Sequence, residues 1–168
     1  MASETASSRI CRTARADGVT AHVPERFSAL SFIRSAREAP AAPGAYVLLV
    51  ELSRPLAAKA GRSEATLAPG RYLYCGSAKG PGGLRARLAR HMRQGKRRRW
   101  HIDQLTEAGE SLGAWITPDM GECDLVAALS ALPIPLVGFG SSDCPRCRSH
   151  LLFWPMGEAP AFLAAQKC

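Results

Sequence analysis

Five residues of this chain have the types needed to hydrolyse a phosphodiester: Tyr46, Tyr74, Arg87, His91 and Glu122. That reaction needs a nucleophilic water, a group to take its proton, and positive charge for the transition state and leaving oxygen. Arg87 carries a planar, permanently protonated fork that suits phosphate oxygens; the plainer reading is an arginine lying over Leu84 and Leu88. His91 stands four residues on, so on a helix the two side chains project together. An imidazole with an ordinary pKa of ~6.5 serves there as acid, base or phosphate donor. Glu122 has two readings. Asp119-Met120-Gly121-Glu122 has the spacing of a capping box, with Glu122 reaching back to the Asp119 amide. Helical spacing also puts Glu122 on one face with Leu125, Leu129 and Leu132. A carboxylate held inward needs a cation, and oxygen ligation favours a hard divalent ion, Mg²⁺ or Mn²⁺.

These side chains need a frame. Residues 45–52 are apolar on both alternating faces, as in a central strand covered on both sides. Pro69-Gly70 marks a turn into a second strand over 71–76, whose period of two sends Tyr72 and Tyr74 to one face and Leu73 and Cys75 to the other. Between them, 55–68 is an irregular or weakly β return. After the Gly80-Pro81-Gly82-Gly83 loop, Leu84, Leu88 and Met92 form a helical stripe. A second helix begins near Trp100, a strand covers 112–117, a third helix runs about Met120 to Leu132 before Pro133, and Leu151–Trp154 is a last strand. Phe27 to Glu38 has the spacing of a short helix. The order predicts one α/β domain over 27–158, a small mostly antiparallel sheet flanked by helices. Residues 1–26 read as a flexible arm and 159–168 as a tail.

Gly44-Ala45-Tyr46, then Tyr74-Cys75-Gly76, an arginine on the following helix and a later glutamate resemble, in that order, the GIY-YIG nuclease superfamily. Trp100-His101-Ile102-Asp103 and the run from Gly138 through Ser142-Asp143-Cys144 to Ser149-His150-Leu151 are similar to the hallmarks of one poorly characterised branch of it. The resemblance spans about residues 43 to 154. It implies an α/β sandwich and a metal-dependent DNA endonuclease, with repair or processing of branched or damaged DNA as the setting. Residue by residue, it implies that Arg87 is the helix arginine, that Glu122 is the catalytic glutamate holding the metal, that Tyr46 takes the water's proton and that Tyr74 positions phosphate or water. A phenol with a pKa of ~10 is a poor base at neutral pH unless a neighbour such as Arg87 lowers it; for Tyr74, core packing with a satisfied hydroxyl is the other reading. The chain departs from the pattern in having no asparagine, which many members carry after the glutamate. Ser141, Ser142 and Asp143 are the candidate substitutes. The departure keeps a second reading open, a catalytically degenerate nucleic-acid-binding module of the same fold.

The charge balance agrees with a polyanionic partner. The chain of 168 residues carries a net charge of +8, and from Lys79 to Arg99 it has no acidic residue. Arg90, Arg93, Lys96, Arg97, Arg98 and Arg99, followed by Trp100 and His101, are the candidate DNA contacts, cations beside one stacking platform. Trp100 buried at a helix start, with His101 and Asp103 satisfying local backbone, is the alternative. RNA is not excluded, because phosphate contacts are blind to sequence. Cys144, Cys147 and His150 are three soft ligands at zinc-like spacing, with Cys123, Cys75 and His101 as candidates for a fourth; buried thiols are the other reading. No stretch has the ~18 apolar residues of a membrane span and no apolar signal core is present, so no membrane partner is expected. Six unevenly spaced cysteines fit a reducing compartment, the cytoplasm. Oligomeric state leaves no trace in the sequence.

Overall fold

A computed structural model of the chain describes residues 30–155. The elements are β1 (Ser31–Ile33), a 3-10 turn (Ala36–Glu38), β2 (Gly44–Leu52), β3 (Leu56–Ala60), β4 (Ser63–Leu67), β5 (Gly70–Ala78), α1 (Gly83–Met92), α2 (His101–Ala108), β6 (Glu110–Thr117), α3 (Glu122–Ala128) and β7 (Leu151–Trp154). Five strands form an antiparallel sheet in the order β1-β6-β2-β5-β7, and β3 and β4 pair as a separate hairpin. This is the expected α/β architecture, a small antiparallel sheet flanked by helices.

β2 is central because residues 45 to 50 carry no charge and are all buried, while Glu51 near its end stays half-exposed and pairs with Arg71. Alternation splits its side chains between two cores. Tyr46, Leu48, Val50 and Leu52 pack with Tyr72 and Tyr74 of β5, Leu84 and Leu88 of α1, and Ile102 and Leu105 of α2. Ala45, Val47 and Leu49 pack on the other side with Leu73, Cys75, Trp115, Leu125 of α3 and Leu129 just beyond its end. Each fully buried leucine of these helices contributes about 1.5–3 kcal/mol.

The start of α1 is set by two glycines. Gly82 and Gly83 have φ of 78° and 53°, and a Cβ on Gly83 would strike the Ala42 backbone. That close approach lets the Ala42 and Pro40 carbonyls accept the Leu84 and Arg85 amides at 2.9 and 3.1 Å, which satisfies donors the helix cannot use itself.

Four local expectations change. The 27–38 segment is not a helix where it is described: Ser31–Ile33 pairs with β6 and only Ala36–Glu38 turns, capped by Ser35 and Glu38. The 55–68 return is a regular hairpin turning at Gly61, φ 60°. α3 ends at Ala128, well short of Leu132, and residues 129–150 contain no helix or strand. The Asp119 cap does not form either. Gly121 is the N-cap and Asp124 accepts its amide at 3.1 Å, which puts Glu122 at the first position of α3. The proposed arm 1–26 and tail 159–168 lie outside the described residues.

Candidate active site and nucleic-acid interface

At the end of the sheet where β2 begins and β5 finishes, Tyr46 lies directly opposite Gly76. A Cβ on Gly76 would collide with the Tyr46 ring and hydroxyl, so the glycine of Tyr74-Cys75-Gly76 is what lets the first tyrosine lie across the second strand. Tyr46 Oη is 2.7 Å from His91 Nε2 of α1. Both are buried, at 2% and 1% exposed, so this hydrogen bond is made without competing water. Burial drives the Tyr46 hydroxyl well above its ordinary value; the neighbouring Arg87 opposes this and is outweighed. Burial likewise pushes the His91 imidazole down to about 3, with Asp103 opposing. Both groups are therefore neutral at pH 7, contrary to an ordinary imidazole at the solvent margin and to a phenol made acidic by Arg87. Among the described residues His91 Nδ1 is buried with no hydrogen-bond partner.

A cavity of about 700 Å³ opens over this pair. Tyr74, Arg87 and Glu122 line it, so all five candidate catalytic residues meet there. Tyr74 is buried and its hydroxyl is pushed up, again mainly by desolvation. Gly140, at φ 74°, has no Cβ to displace the Tyr74 ring. Tyr72 shares the face but spends its hydroxyl on the Ala68 carbonyl at 2.6 Å. Glu122 does not point into apolar packing as its spacing predicts. Because α3 begins at Glu122, Leu125 and Leu129 go to the core while the carboxylate, half-buried, faces the cavity. Among the described residues neither Arg87 nor Glu122 forms a salt bridge. Of the asparagine substitutes, Ser142 and Asp143 line the cavity and Ser141 does not.

The basic stretch divides into two sets. Arg93, Arg97, Arg98 and Arg99 are exposed, and Arg98 and Arg99 reach the cavity. Lys96 is buried, its ammonium donating to the His91 and Arg93 carbonyls at 3.0 and 2.8 Å and to Glu107 at 3.0 Å. Arg90 forks onto Asp103 at 2.8 and 2.9 Å. These two cations are internal ties and not the surface contacts expected of them, because each has a carboxylate of α2 within reach.

Asp103 is the hub. It also accepts the Arg99 and Trp100 amides at 2.7 and 3.0 Å, which caps α2. Burial works against its ionisation, but these hydrogen bonds and Arg90 hold the carboxyl far below the usual range. Thus pinned, Trp100 remains 38% exposed and takes the guanidiniums of Arg87 and Arg90 over its ring at 4.3 and 4.1 Å. Trp100 is not buried at the helix start, as the alternative reading expects: its backbone starts α2 while its exposed ring forms a cavity wall. His101 lines the cavity too, its Nδ1 accepting the Gly140 amide at 3.3 Å.

Sequence reasoning left Cys123 as one of three options for a fourth soft ligand, and the fold selects it. Cys123, Cys144, Cys147 and His150 bring their ligand atoms within 4.8 Å of one another. The role of Asp103 as anchor of Arg90 was legible only as a helix-start acid, because its partner lies in α1.

No curated protein and no solved structure matches the chain. The model of one family, described as "Domain of unknown function DUF123", matches residues 45–167, from the first tyrosine strand through every side chain of the cavity. The chain is a member of that DUF123 family.

Proposed function

We propose that this protein binds DNA and hydrolyses a phosphodiester bond with one divalent metal ion at Glu122. The observation that carries the reading is the meeting of Arg87, Glu122, Tyr46, Tyr74 and His91 in one cavity bordered by Arg98, Arg99 and the exposed Trp100 ring. Phosphate oxygens fit against Arg87, whose guanidinium is held in place by Trp100 and is engaged by no carboxylate among the described residues. Tyr74 orients phosphate or water from the buried side. Tyr46, fixed by His91, gives up or shares a proton only within that hydrogen bond.

Glu122 fits a hard cation: a half-buried carboxylate facing an open cavity of about 700 Å³ leaves room for the waters Mg²⁺ or Mn²⁺ retains. When bound, such an ion supplies Lewis acidity and a more acidic water. Among the described residues Cys75, Cys123, Cys144 and Cys147 form no disulfide, which suits the reducing cytoplasm where such chemistry on DNA would take place. Among the described residues no helix is long and apolar enough to cross a membrane.

A second reading is favoured by the electrostatics of the buried pair. Tyr46 and His91 are both held neutral and neither is a base near pH 7. Together with the missing asparagine, this fits a binding module that keeps the basic rim and has lost the chemistry. Labelled single-stranded, duplex, flap and branched DNA, and matching RNA, incubated with and without Mg²⁺ separate the two. Metal-dependent cleavage of any DNA substrate is expected; binding with no cleavage across the panel overturns the nuclease reading and leaves the module.

A further inference from the structure

We propose that Cys123, Cys144, Cys147 and His150 form a structural zinc site that fastens the first turn of α3 to the long segment preceding β7. The proposal does not depend on the nuclease reading. Three sulfurs and an imidazole nitrogen mutually within 4.8 Å match the ligands of one tetrahedral ion, since Zn–S bonds of about 2.3 Å place sulfurs ~3.8 Å apart. Cys123 and Cys144 are 3.4 Å apart, beyond a disulfide bond and within the range of two thiolates sharing a metal.

Local structure prepares the ligands. Cys144 and Cys147 have the C-x₂-C spacing of a zinc knuckle, and the Arg146 and Cys147 amides donate to the Cys144 sulfur. Amide donors of that kind stabilise a thiolate and orient it. His150 is fixed by its own backbone: its amide donates to the Phe139 carbonyl and its carbonyl accepts the Cys75 amide, each at 2.9 Å. Among the described residues its Nε2 is buried with no hydrogen-bond partner of good geometry, while its imidazole faces the Cys144 sulfur.

The site adds to the constraint that the core places on the irregular segment before β7, where Leu136 and Phe139 are buried. Residues 129–150 run without helix or strand, an uncommon length for a connection in a compact domain, and the Gly138 amide donating to the Arg148 carbonyl at 2.8 Å folds the run back on itself. One ion held by Cys123 and by residues 144–150 ties the C-terminal part of that run to α3. On binding, the three thiols lose their protons to solvent, leaving a net charge of −1 beside Arg146 and Arg148 of the same loop. Glu122 adjoins Cys123 and His150 itself lines the cavity, so the ion also fixes one wall of the candidate site.

The test is elemental analysis of the full chain expressed with zinc and purified without chelator. About one zinc per chain is expected, and its removal by chelator should lower the melting temperature by roughly 10 °C or more. An organomercurial should release that zinc as three thiols react. Cys147→Ser and Cys123→Ser should lose most of it, while His150→Cys, which restores a fourth ligand, should retain it. Cobalt reconstitution gives a readout free of variant folding: thiolate-to-cobalt charge-transfer absorption is expected from the wild-type apoprotein. No zinc and no cobalt spectrum, a Cys123–Cys144 disulfide by mass, or full zinc retention in soluble Cys147→Ser protein would overturn the proposal.

Discussion

At the scale of single residues, the cavity gathers groups that are individually costly to place. His91 is buried neutral because desolvation lowers its pKa from 6.5 to about 3. The unfolded chain therefore takes up a proton that the folded one refuses, so this residue's part of the stability is complete above about pH 6.5 and is lost as pH falls toward 3. His91→Gln keeps a polar partner for Tyr46 and removes the titration. Urea melts at a series of pH values should show a shallower loss of stability below pH 6.5 in the variant, by on the order of 4 to 5 kcal/mol near pH 3. The chemical bet rests on Arg87 and Glu122. Glu122→Gln preserves shape while deleting charge, and Arg87→Ala removes charge stabilisation from the transition state; each should cost roughly 10²-fold or more in cleavage rate. DNA affinity of the Glu122→Gln protein should be unchanged. Wild-type rates in either variant, folded by circular dichroism, would mean that the assigned residues do not perform the step.

At the scale of elements, α1 and α2 are joined by charge as much as by apolar packing. Asp103 receives the Arg90 fork and two amides, while Lys96 closes the loop between the helices onto Glu107 and two carbonyls. Removing a buried partner strands the rest, so Asp103→Ala should destabilise the fold by about 3–5 kcal/mol, read as a fall in the urea midpoint. The loss should exceed that of Arg97→Ala, whose side chain is exposed. Trp100 fluorescence should change in the same variant, because its amide loses its acceptor and Arg90, stacked on its ring, loses its anchor. An Asp103→Ala protein as stable as wild type would show that α1 and α2 are held by their leucines alone.

For the whole molecule, the net charge of +8 matters less than where the unspent part lies. With Arg90 and Lys96 turned inward, Arg93, Arg97, Arg98 and Arg99 are the exposed cations left in the loop beside the cavity. Four phosphate contacts give a slope of log K against log salt of about −3 to −4. Alanine at 97, 98 and 99 together should weaken binding to every DNA sequence alike and bring the slope to about −1. Unchanged affinity would remove the docking surface.

The sequence by itself determined the two strands that carry the tyrosines, since alternation and apolar runs at 45–52 and 71–76 have one solution on a pleated sheet, whereas β1 and the β3–β4 hairpin were not legible in it. It also determined the α1 stripe and the pairing of Arg87 with His91, because helical spacing is local. The end of α3, the inward turn of Lys96 and Arg90, the buried neutrality of His91 and the choice of Cys123 were settled only by tertiary structure. The last four depend on groups brought close by the fold: Asp103 for Arg90, Glu107 for Lys96, the Tyr46 ring lying over Gly76 for His91, and the packed 144–150 segment for Cys123. Burial and charge pairing are properties of neighbours in space, and periodicity along a chain carries no information about which neighbours those are.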